Sequence, residues 1–255
     1  MPVDVVLPAG GRIEGTFARE TGVSIKALLS CGAATLLTRT VGVLRASPAV
    51  GRIVVVGPPD LAADPGGQAA DALLPDQGDG APNTLHGLEW LRARGADRVL
   101  VAAADLPFLD AAAIHWFLAR APAEAELVAP VVRRQAFERR FPASTNEYLG
   151  LRDGEWTLGC LFLVCPTALN RSRLHLERAF AARKSQLAMA RLLGPRFVAR
   201  FLLRRLTVEA IRGRCAELLE CRAAVLPDAP PELAYDLDLP AHYRYVLHSG
   251  DTPRP

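Results

Sequence analysis

The sequence predicts an α/β protein with a mostly parallel sheet, and three observations lead to that expectation. Short β-branched runs alternate with helical patterns through the first half of the chain, beginning with a strand over 3–7. Clusters of Pro and Gly separate these segments. The 255 residues, half of them hydrophobic, suffice for one large domain whose core needs no disulfide or metal. Ligands of such sheets bind at the carboxyl ends of the strands.

The elements of the first half follow this alternation in order. Further strands are predicted over 52–57, 98–105 and 126–132. Helices are predicted over 34–45, 83–95 and 110–120, with Asn83 as a cap of the second. Small and polar residues over 12–25 and many Pro, Gly and Asp residues over 58–82 predict two loops.

The second half has a different pattern. A strand is predicted over 155–166, in an antiparallel arrangement with its neighbours, followed by an almost wholly helical stretch over 173–220 that breaks at Gly194-Pro195. A closing strand is predicted over 232–243, and the tail after His248 is expected to be disordered. The helical stretch would be an insertion or lid.

Composition excludes several functional classes. The formal net charge of +3 is too small to indicate a nucleic-acid partner. Five cysteines without a C-x-x-C pair argue against a disulfide framework or a zinc site and fit a reducing, cytoplasmic location. We expect no signal peptide, because the N-terminus lacks a basic region followed by an apolar core and a small-residue cleavage site. We expect no transmembrane segment, because no apolar run reaches about 18 residues. The basic amphipathic stretch 196–214 is expected to pack on the core, with contact to an anionic membrane as the alternative.

Paired glycines follow the first strand. Gly10 and Gly11 would let the backbone approach a phosphate and donate N–H groups to it, although neither the dinucleotide fingerprint nor the P-loop pattern is present. A tight turn without a ligand is the alternative. Lys26 precedes an apolar segment and is either a cation directed at such phosphates or a surface residue.

Carboxylates follow two predicted strands. Asp105 is the last residue of the predicted strand that ends in "VAAAD", and Asp236 and Asp238 lie in the closing segment. Mg²⁺ prefers one or two carboxylates together with phosphate oxygens and water. Residues two apart in an extended segment face the same side, so either Asp236 or Asp238 could join Asp105 at a metal ion.

The segments "VVLPAGG", "KALL", "AADLP" and "YDLDLPAHY" together resemble the MobA-like NTP transferases, of the molybdenum cofactor guanylyltransferase type. The resemblance covers residues 3 to about 132 and returns at 232–243. It implies a Rossmann-like three-layer α/β/α sandwich of the nucleotide-diphospho-sugar transferase (glycosyltransferase A-like) type. It also implies a single domain with a nucleotide-binding half over 1–132, an acceptor-recognition region with the helical insertion over 133–231, a closing metal-site segment over 232–246 and a tail over 247–255.

The resemblance assigns roles to particular residues. Nucleotide-binding residues would be Pro8, Ala9, Gly10, Gly11 and Asn83. Catalytic residues would be Lys26, Asp105 and Arg12, with Arg19 as the alternative arginine. The metal ligands would be Asp105, Asp238 and Asp236. Beyond the resemblance, basic or aromatic residues that suit a phosphorylated acceptor are Arg140, Tyr148, Arg152 and Lys184, with a solvated basic loop over 137–154 and a surface helix face at Lys184 as the alternatives. The chain departs from the family pattern in the long stretch 12–25 and in His242, which stands where an acidic residue is common.

The implied activity is Mg²⁺-dependent transfer of an NMP unit from an NTP to a small phosphorylated acceptor, with release of pyrophosphate. The alternatives are a glycosyltransferase that uses a nucleotide-sugar, disfavoured because "AAADLP" has a single aspartate, and a non-catalytic nucleotide-binding module. No nucleic-acid partner is expected, and a homo-oligomer stays open.

Overall fold

The computed structural model of the protein describes residues 2–78, 80–172, 175 and 186–249. Within these ranges eleven strands are found: β1 Val3–Pro8, β2 Ser30–Cys31, β3 Ala34–Thr35, β4 Val50–Gly57, β5 Ala72–Pro75, β6 Val99–Ala102, β7 Leu127–Arg133, β8 Leu149–Leu151, β9 Gly154–Leu158, β10 Leu161–Val164 and β11 Ala223–Leu226. The helices of the same ranges are α1 Gly15–Thr21, α2 Leu36–Ala46, α3 Pro65–Ala69, α4 Gly80–Arg92, α5 Ala111–Arg120, α6 Arg134–Arg140, α7 Pro166–Arg171, α8 Gln186–Leu193, α9 Pro195–Leu202, α10 Val208–Leu219 and α11 Pro240–His248.

A single mixed sheet of nine strands organises the fold. Its order is β5-β4-β1-β6-β10-β7-β9-β8, and β11 pairs with β7. The strands of the first half, β5, β4, β1 and β6, are parallel, whereas β10 runs antiparallel to β6 and β7. The α/β prediction is therefore confirmed, including the antiparallel strand. No helix among the described residues is long and apolar enough to span a membrane.

Helices cover both faces of the sheet. In β1 the alternating side chains divide between two apolar clusters: Val5 and Leu7 belong to one, and Val6 belongs to the other. The first cluster includes residues of α2 and α5, and the second includes residues of α4 and α7. Burial on both faces explains why these strands are continuous β-branched runs rather than alternating ones.

Two predicted loops contain regular structure. Residues 12–25 include α1, which buries Phe17 and ends at Gly22 in the left-handed conformation. Residues 58–82 include a 3₁₀ helix at Pro59–Ala63, α3, β5 and the start of α4. Asp64 caps α3 by accepting from the N–H of Gly66. This aspartate, one of the residues from which a loop was predicted, therefore marks the start of a helix.

Two predicted strands are also corrected. The strand over 155–166 is two strands, because the pairing with β7 is interrupted after Leu158 and resumes in a shifted register at Leu163, with both strands antiparallel to β7. The closing strand over 232–243 does not form. A 3₁₀ helix at Pro231–Leu233 is followed by an irregular segment and by α11, which begins at Pro240 because proline suits the first helical turn.

The helical insertion is only partly described. Helices α8, α9 and α10 occupy it, and the predicted break falls at Gly194, whose φ is 89°. The basic stretch 196–214 is not one helix, because residues 203–207 separate α9 from α10. Most of 173–185 and the tail from residue 250 lie outside the described residues.

Candidate active site

The paired glycines form the turn that leaves β1 at the carboxyl edge of the sheet. Ala9 donates its N–H to Val56 O at 2.8 Å, which continues the pairing with β4. A Cβ on Gly10 would lie 2.5 Å from Asn83 Nδ2 and 2.6 Å from Asp76 Oδ1. A side chain at position 10 would therefore displace the side chains of Asn83 and Asp76.

Gly11 is different, because no contact among the described residues requires a glycine there. A Cβ at this exposed position would meet only Lys26, at an ordinary contact distance of 3.7 Å. Gly11 O accepts from the N–H of Lys26 at 2.9 Å, so the lysine backbone is attached to the glycine turn. The two ends of the stretch 12–25 are held together by an isolated antiparallel β-bridge between Arg12 and Ile25. Its length therefore does not separate Lys26 from the glycines.

Asp105 follows β6, the parallel neighbour of β1. It precedes α5, which is capped by Asp110 accepting from the N–H of Ala113 at 2.7 Å, so Asp105 is not needed as the cap. Arg39 of α2 donates from Nε to Pro107 O at 2.6 Å and holds the loop that carries Asp105. Burial lowers the pKa of Arg39, whose guanidinium faces no carboxylate within the described residues. This contact was not foreseen, although Arg39 lies three residues after Leu36 on an apolar helix face.

Asp236 and Asp238 lie in the irregular segment before α11. The residues that alternate with them, Tyr235 and Leu237, are buried in the core, so both aspartates face the other side. The expectation that these two carboxylates share a face is met without a regular strand.

An aromatic cluster joins the loop of Asp105 to the segment of Asp236. Phe108 lies edge-on to Tyr235 with ring centroids 4.8 Å apart, and Phe137 stacks on Tyr235 at 5.7 Å. The phenol of Tyr235 accepts from Ser144 Oγ at 3.0 Å and is thereby fixed in place. Because Phe108 is three residues after Asp105 and Tyr235 directly precedes Asp236, this packing brings the carboxylates together.

The three predicted metal-binding aspartates meet. One carboxylate oxygen from each of Asp105, Asp236 and Asp238 lies within 4.8 Å of the others. Lys26 Nζ donates to Asp105 Oδ2 at 2.8 Å and to Asp238 Oδ1 at 2.6 Å. Lysine and aspartates thus form one charged group beside the glycine turn.

The pKa values of this group reflect burial and like charges. Burial, followed by the charges of Asp105 and Asp238, raises the pKa of Asp236 to about 7. Burial would raise the pKa of Asp238 too, but the hydrogen bond and the charge of Lys26 together outweigh burial and lower it. For Lys26 the cost of burial is outweighed by Asp105 and Asp238, so its pKa is raised and it stays an ammonium ion.

Two side chains next to the aspartates were not assigned to the site from the sequence. Burial and the nearby Asp236, Asp105 and Asp238 raise the pKa of Cys160 well above its ordinary value, so it stays a thiol. The ring of His242 is buried, which lowers its pKa and keeps it neutral. Cys160 carries no sequence signal that could have located it here.

Asn83 is fully buried inside α4 and does not cap it. Its Oδ1 accepts from the N–H of Gln77 at 2.6 Å, and its Nδ2 donates to Asp76 Oδ1 at 2.7 Å and to Gly78 O. The amide therefore holds the loop of residues 76–78 against the glycine turn. Asp76 was not singled out from the sequence.

The remaining predicted residues have contacts of their own. Arg12 is exposed after the glycine turn and has no ion pair within the described ranges. Arg140 pairs with Glu232 at 2.7 Å, and Tyr148 packs its ring on Phe137. The exposed Arg152 bonds through its backbone to Leu206. Lys184 lies outside the described residues.

The aspartate cluster fits a hard divalent cation. Its donors are carboxylate oxygens, which Mg²⁺ prefers, and it already attracts the ammonium group of Lys26. Ligand oxygens on one Mg²⁺ are at most about 4.2 Å apart, because each lies about 2.1 Å from the ion. Small side-chain movements would bring the three aspartates to that spacing.

The fold is that of an α/β protein whose candidate site lies at the carboxyl edge of its sheet, where ligands of such sheets bind. Comparison with known proteins agrees. The sequence model of the MobA-like NTP transferase domain matches residues 5–220. A hypothetical transferase from Thermus thermophilus is 32% identical, with a TM-score of 0.83, and the match covers 94% of this chain and 98% of that one.

Two more distant structures share the fold. A nucleotidyl transferase from Methanothermobacter thermautotrophicus is 18% identical (TM-score 0.56, 97% of this chain and 99% of that one). The 2-C-methyl-D-erythritol 4-phosphate cytidylyltransferase of Thermus thermophilus is 17% identical (TM-score 0.55, 98% of each chain). The chain belongs to the MobA-like NTP transferase family and is a nucleotidyltransferase.

Proposed function

We propose that this enzyme transfers an NMP unit from an NTP to a small phosphorylated acceptor and releases pyrophosphate. The observation that carries the proposal is the meeting of Asp105, Asp236 and Asp238 with Lys26 beside a glycine turn. An acceptor oxygen would attack the α-phosphorus while the bond to the oxygen that bridges to the β-phosphate breaks. Positioning and neutralisation of charge suffice for such a displacement.

Asp105 and Asp238, supported by Asp236, would hold Mg²⁺, which when bound acts as a Lewis acid and template for the phosphates. The N–H groups of Gly10 and Gly11 would donate to the triphosphate. Lys26 starts beside these glycines, so its ammonium group could neutralise a phosphate once its carboxylate partners hold a metal ion. Arg12, exposed at the same turn, would neutralise the leaving pyrophosphate.

Asn83 would act on the nucleotide indirectly. Its amide hydrogen bonds are used within the protein, and they fix the loop 76–78 that faces Gly10. The base would then contact backbone groups of this loop rather than the Asn83 side chain.

The acceptor is proposed to carry a phosphate because two arginines at the end of α6 line a cleft. Arg139 and Arg140 line an open cleft of about 420 Å³ together with Tyr245 and His248. An arginine suits phosphate through its planar set of donors.

The test is an incubation with each NTP and a panel of phosphorylated acceptors, with pyrophosphate and the NMP adduct measured by mass spectrometry. We expect one NTP and one acceptor class to give both products in equal amounts, only with a divalent cation present. EDTA should stop the reaction, and Mg²⁺ added in excess should restore it. Release of pyrophosphate without an adduct, or full turnover in EDTA, would contradict the proposal.

A further inference from the structure

We propose that residues 200–205, called here the arginine–leucine tip, attach the protein to an anionic lipid surface. The tip comprises the end of α9 and the turn that follows it. Neither the phosphate chemistry nor the metal site enters this inference, so it stands or falls independently of the proposed function.

Three consecutive apolar side chains project from the tip. Phe201, Leu202 and Leu203 are 42%, 74% and 63% exposed, although such residues are ordinarily buried. Helix α9 has no buried residue, so this part of the basic stretch 196–214 does not pack on the core as expected, whereas Leu206 of the same stretch is buried. A cleft of about 560 Å³ lies between α9 and α10, so α9 is not packed tightly on its neighbour either.

Charge surrounds this apolar group. Arg200, Arg204 and Arg205 are exposed next to it, and no acidic residue occurs in residues 186–208. The chain as a whole carries only +3, and residues 186–208 contain five arginines, so the rest of the chain is net negative. The basic charge is thus concentrated where the apolar side chains are exposed.

The backbone holds the tip in a compact turn. Leu203 donates its N–H to Ala199 O at 3.0 Å, and Arg205 donates to Arg200 O at 2.8 Å. Leu206, by contrast, is buried, and the hydroxyl of Thr207 caps α10, so the chain returns to the protein directly after the tip. The apolar side chains are therefore presented on a short, anchored projection.

The combination of apolar and basic side chains indicates which kind of partner the arginine–leucine tip binds. Nucleic acid would use the arginines but gain nothing from exposed leucines. A lipid surface uses both, because leucine and phenylalanine side chains enter the headgroup boundary while arginines meet lipid phosphates. Anionic lipid is therefore the partner whose chemistry matches the whole tip.

The experiment is co-sedimentation of the full chain with vesicles of phosphatidylcholine alone and of phosphatidylcholine mixed with phosphatidylglycerol. We expect binding to the anionic vesicles at low salt, weakened by high salt. The double variant Leu202→Asp/Leu203→Asp should lower the partition coefficient at least about tenfold, since two leucines lose their burial. Arg200→Ala/Arg205→Ala should lower it by about tenfold on anionic vesicles only.

Leu247→Asp is the matched control. Leu247 is 53% exposed near the end of α11, so the change is chemically the same at another surface helix. It should bind vesicles like the unaltered protein, and circular dichroism should show that all variants fold. No binding of the unaltered protein to anionic vesicles would overturn the proposal, as would undiminished binding by the Leu202→Asp/Leu203→Asp variant. A dimer that this variant abolishes, without any vesicle binding, would instead assign the tip to contacts between copies.

Discussion

The edge of the sheet that carries the site and the helices of residues 186–219 are built in opposite ways. Three leucines near the site are fully buried: Leu7 at the end of β1, Leu100 in β6, and Leu237 between the two aspartates. Helices α9 and α10 contain no buried residue. The proposed chemistry would thus be supported by a buried core, whereas the helices of residues 195–219 leave their side chains partly or fully exposed.

The interactions that stabilise the two regions differ accordingly. The site depends on the aromatic cluster around Tyr235 and on hydrogen bonds from buried groups such as Asn83. In α10 the side-chain contacts include surface ion pairs, Arg212 with Glu209 and Arg214 with Glu217, which contribute little to stability. Substitutions should therefore have large effects in the first region and small ones in the second.

The largest effect is expected at Asp105. Asp105→Asn should lower kcat for NMP transfer at least about a hundredfold, because one charged contact at the transition state is lost. Asp110→Asn is the control: it removes a carboxylate from the same loop, yet asparagine can still cap α5. Its kcat should be unchanged. Equal kcat values for the two variants would remove Asp105 from the mechanism.

The two glycines should separate binding from folding. Gly11→Ala should weaken NTP binding about tenfold in calorimetry, because a methyl group blocks close approach of phosphate, with no change in Tm. Gly10→Ala should instead lower the free energy of unfolding by about 1–3 kcal/mol, because its methyl group overlaps Asn83 and Asp76. Normal NTP binding by Gly11→Ala would show that the turn does not hold the triphosphate.

We expect the Asp236 carboxylate to destabilise the folded protein when no metal ion is bound. Its folded pKa is about 7, so between about pH 4 and pH 7 the folded state keeps a proton that the unfolded state releases, and stability falls as the pH rises. Asp236→Asn removes this loss.

Measured in EDTA, the Tm of Asp236→Asn should exceed that of the unaltered protein by about 3–6 °C at pH 8 and by nothing at about pH 4. At pH 8 the Tm of Asp238→Asn should instead lie below that of the unaltered protein, because Asp238 is an ion-pair partner of Lys26. A lower Tm for both variants would mean that the carboxylates do not repel one another.

The smallest effect is expected at the arginine–leucine tip. Leu202→Ala should change the free energy of unfolding by less than about 0.5 kcal/mol, because the side chain is mostly exposed. The same substitution at the buried Leu37 should cost about 2–5 kcal/mol. Chemical denaturation measures both, and a large loss at Leu202 would indicate that the tip is packed after all.

The sequence alone predicted the parallel first half of the sheet and the family. Buried parallel strands need continuous apolar runs, and these occur over 3–7 and 52–57. Paired glycines and Asp105 directly after such strands indicated the edge at which they lie. These features are local, so a single sequence shows them. Helices α1 and α3 lie in segments predicted as loops, because small and polar residues form caps and short helices as readily as loops.

Only the tertiary structure decided how distant residues meet. Asp105 and Asp238 are joined through Lys26 because Phe108 and Tyr235 pack in one core, and that packing has no periodicity along the chain. Asn83 was expected to contact the nucleotide, but its side chain is buried and hydrogen-bonded to residues 76 and 77. Exposure of Leu202 likewise depends on what its helix packs against. Hydrophobic burial is decided by neighbours in space, and these are brought together only by the folded chain.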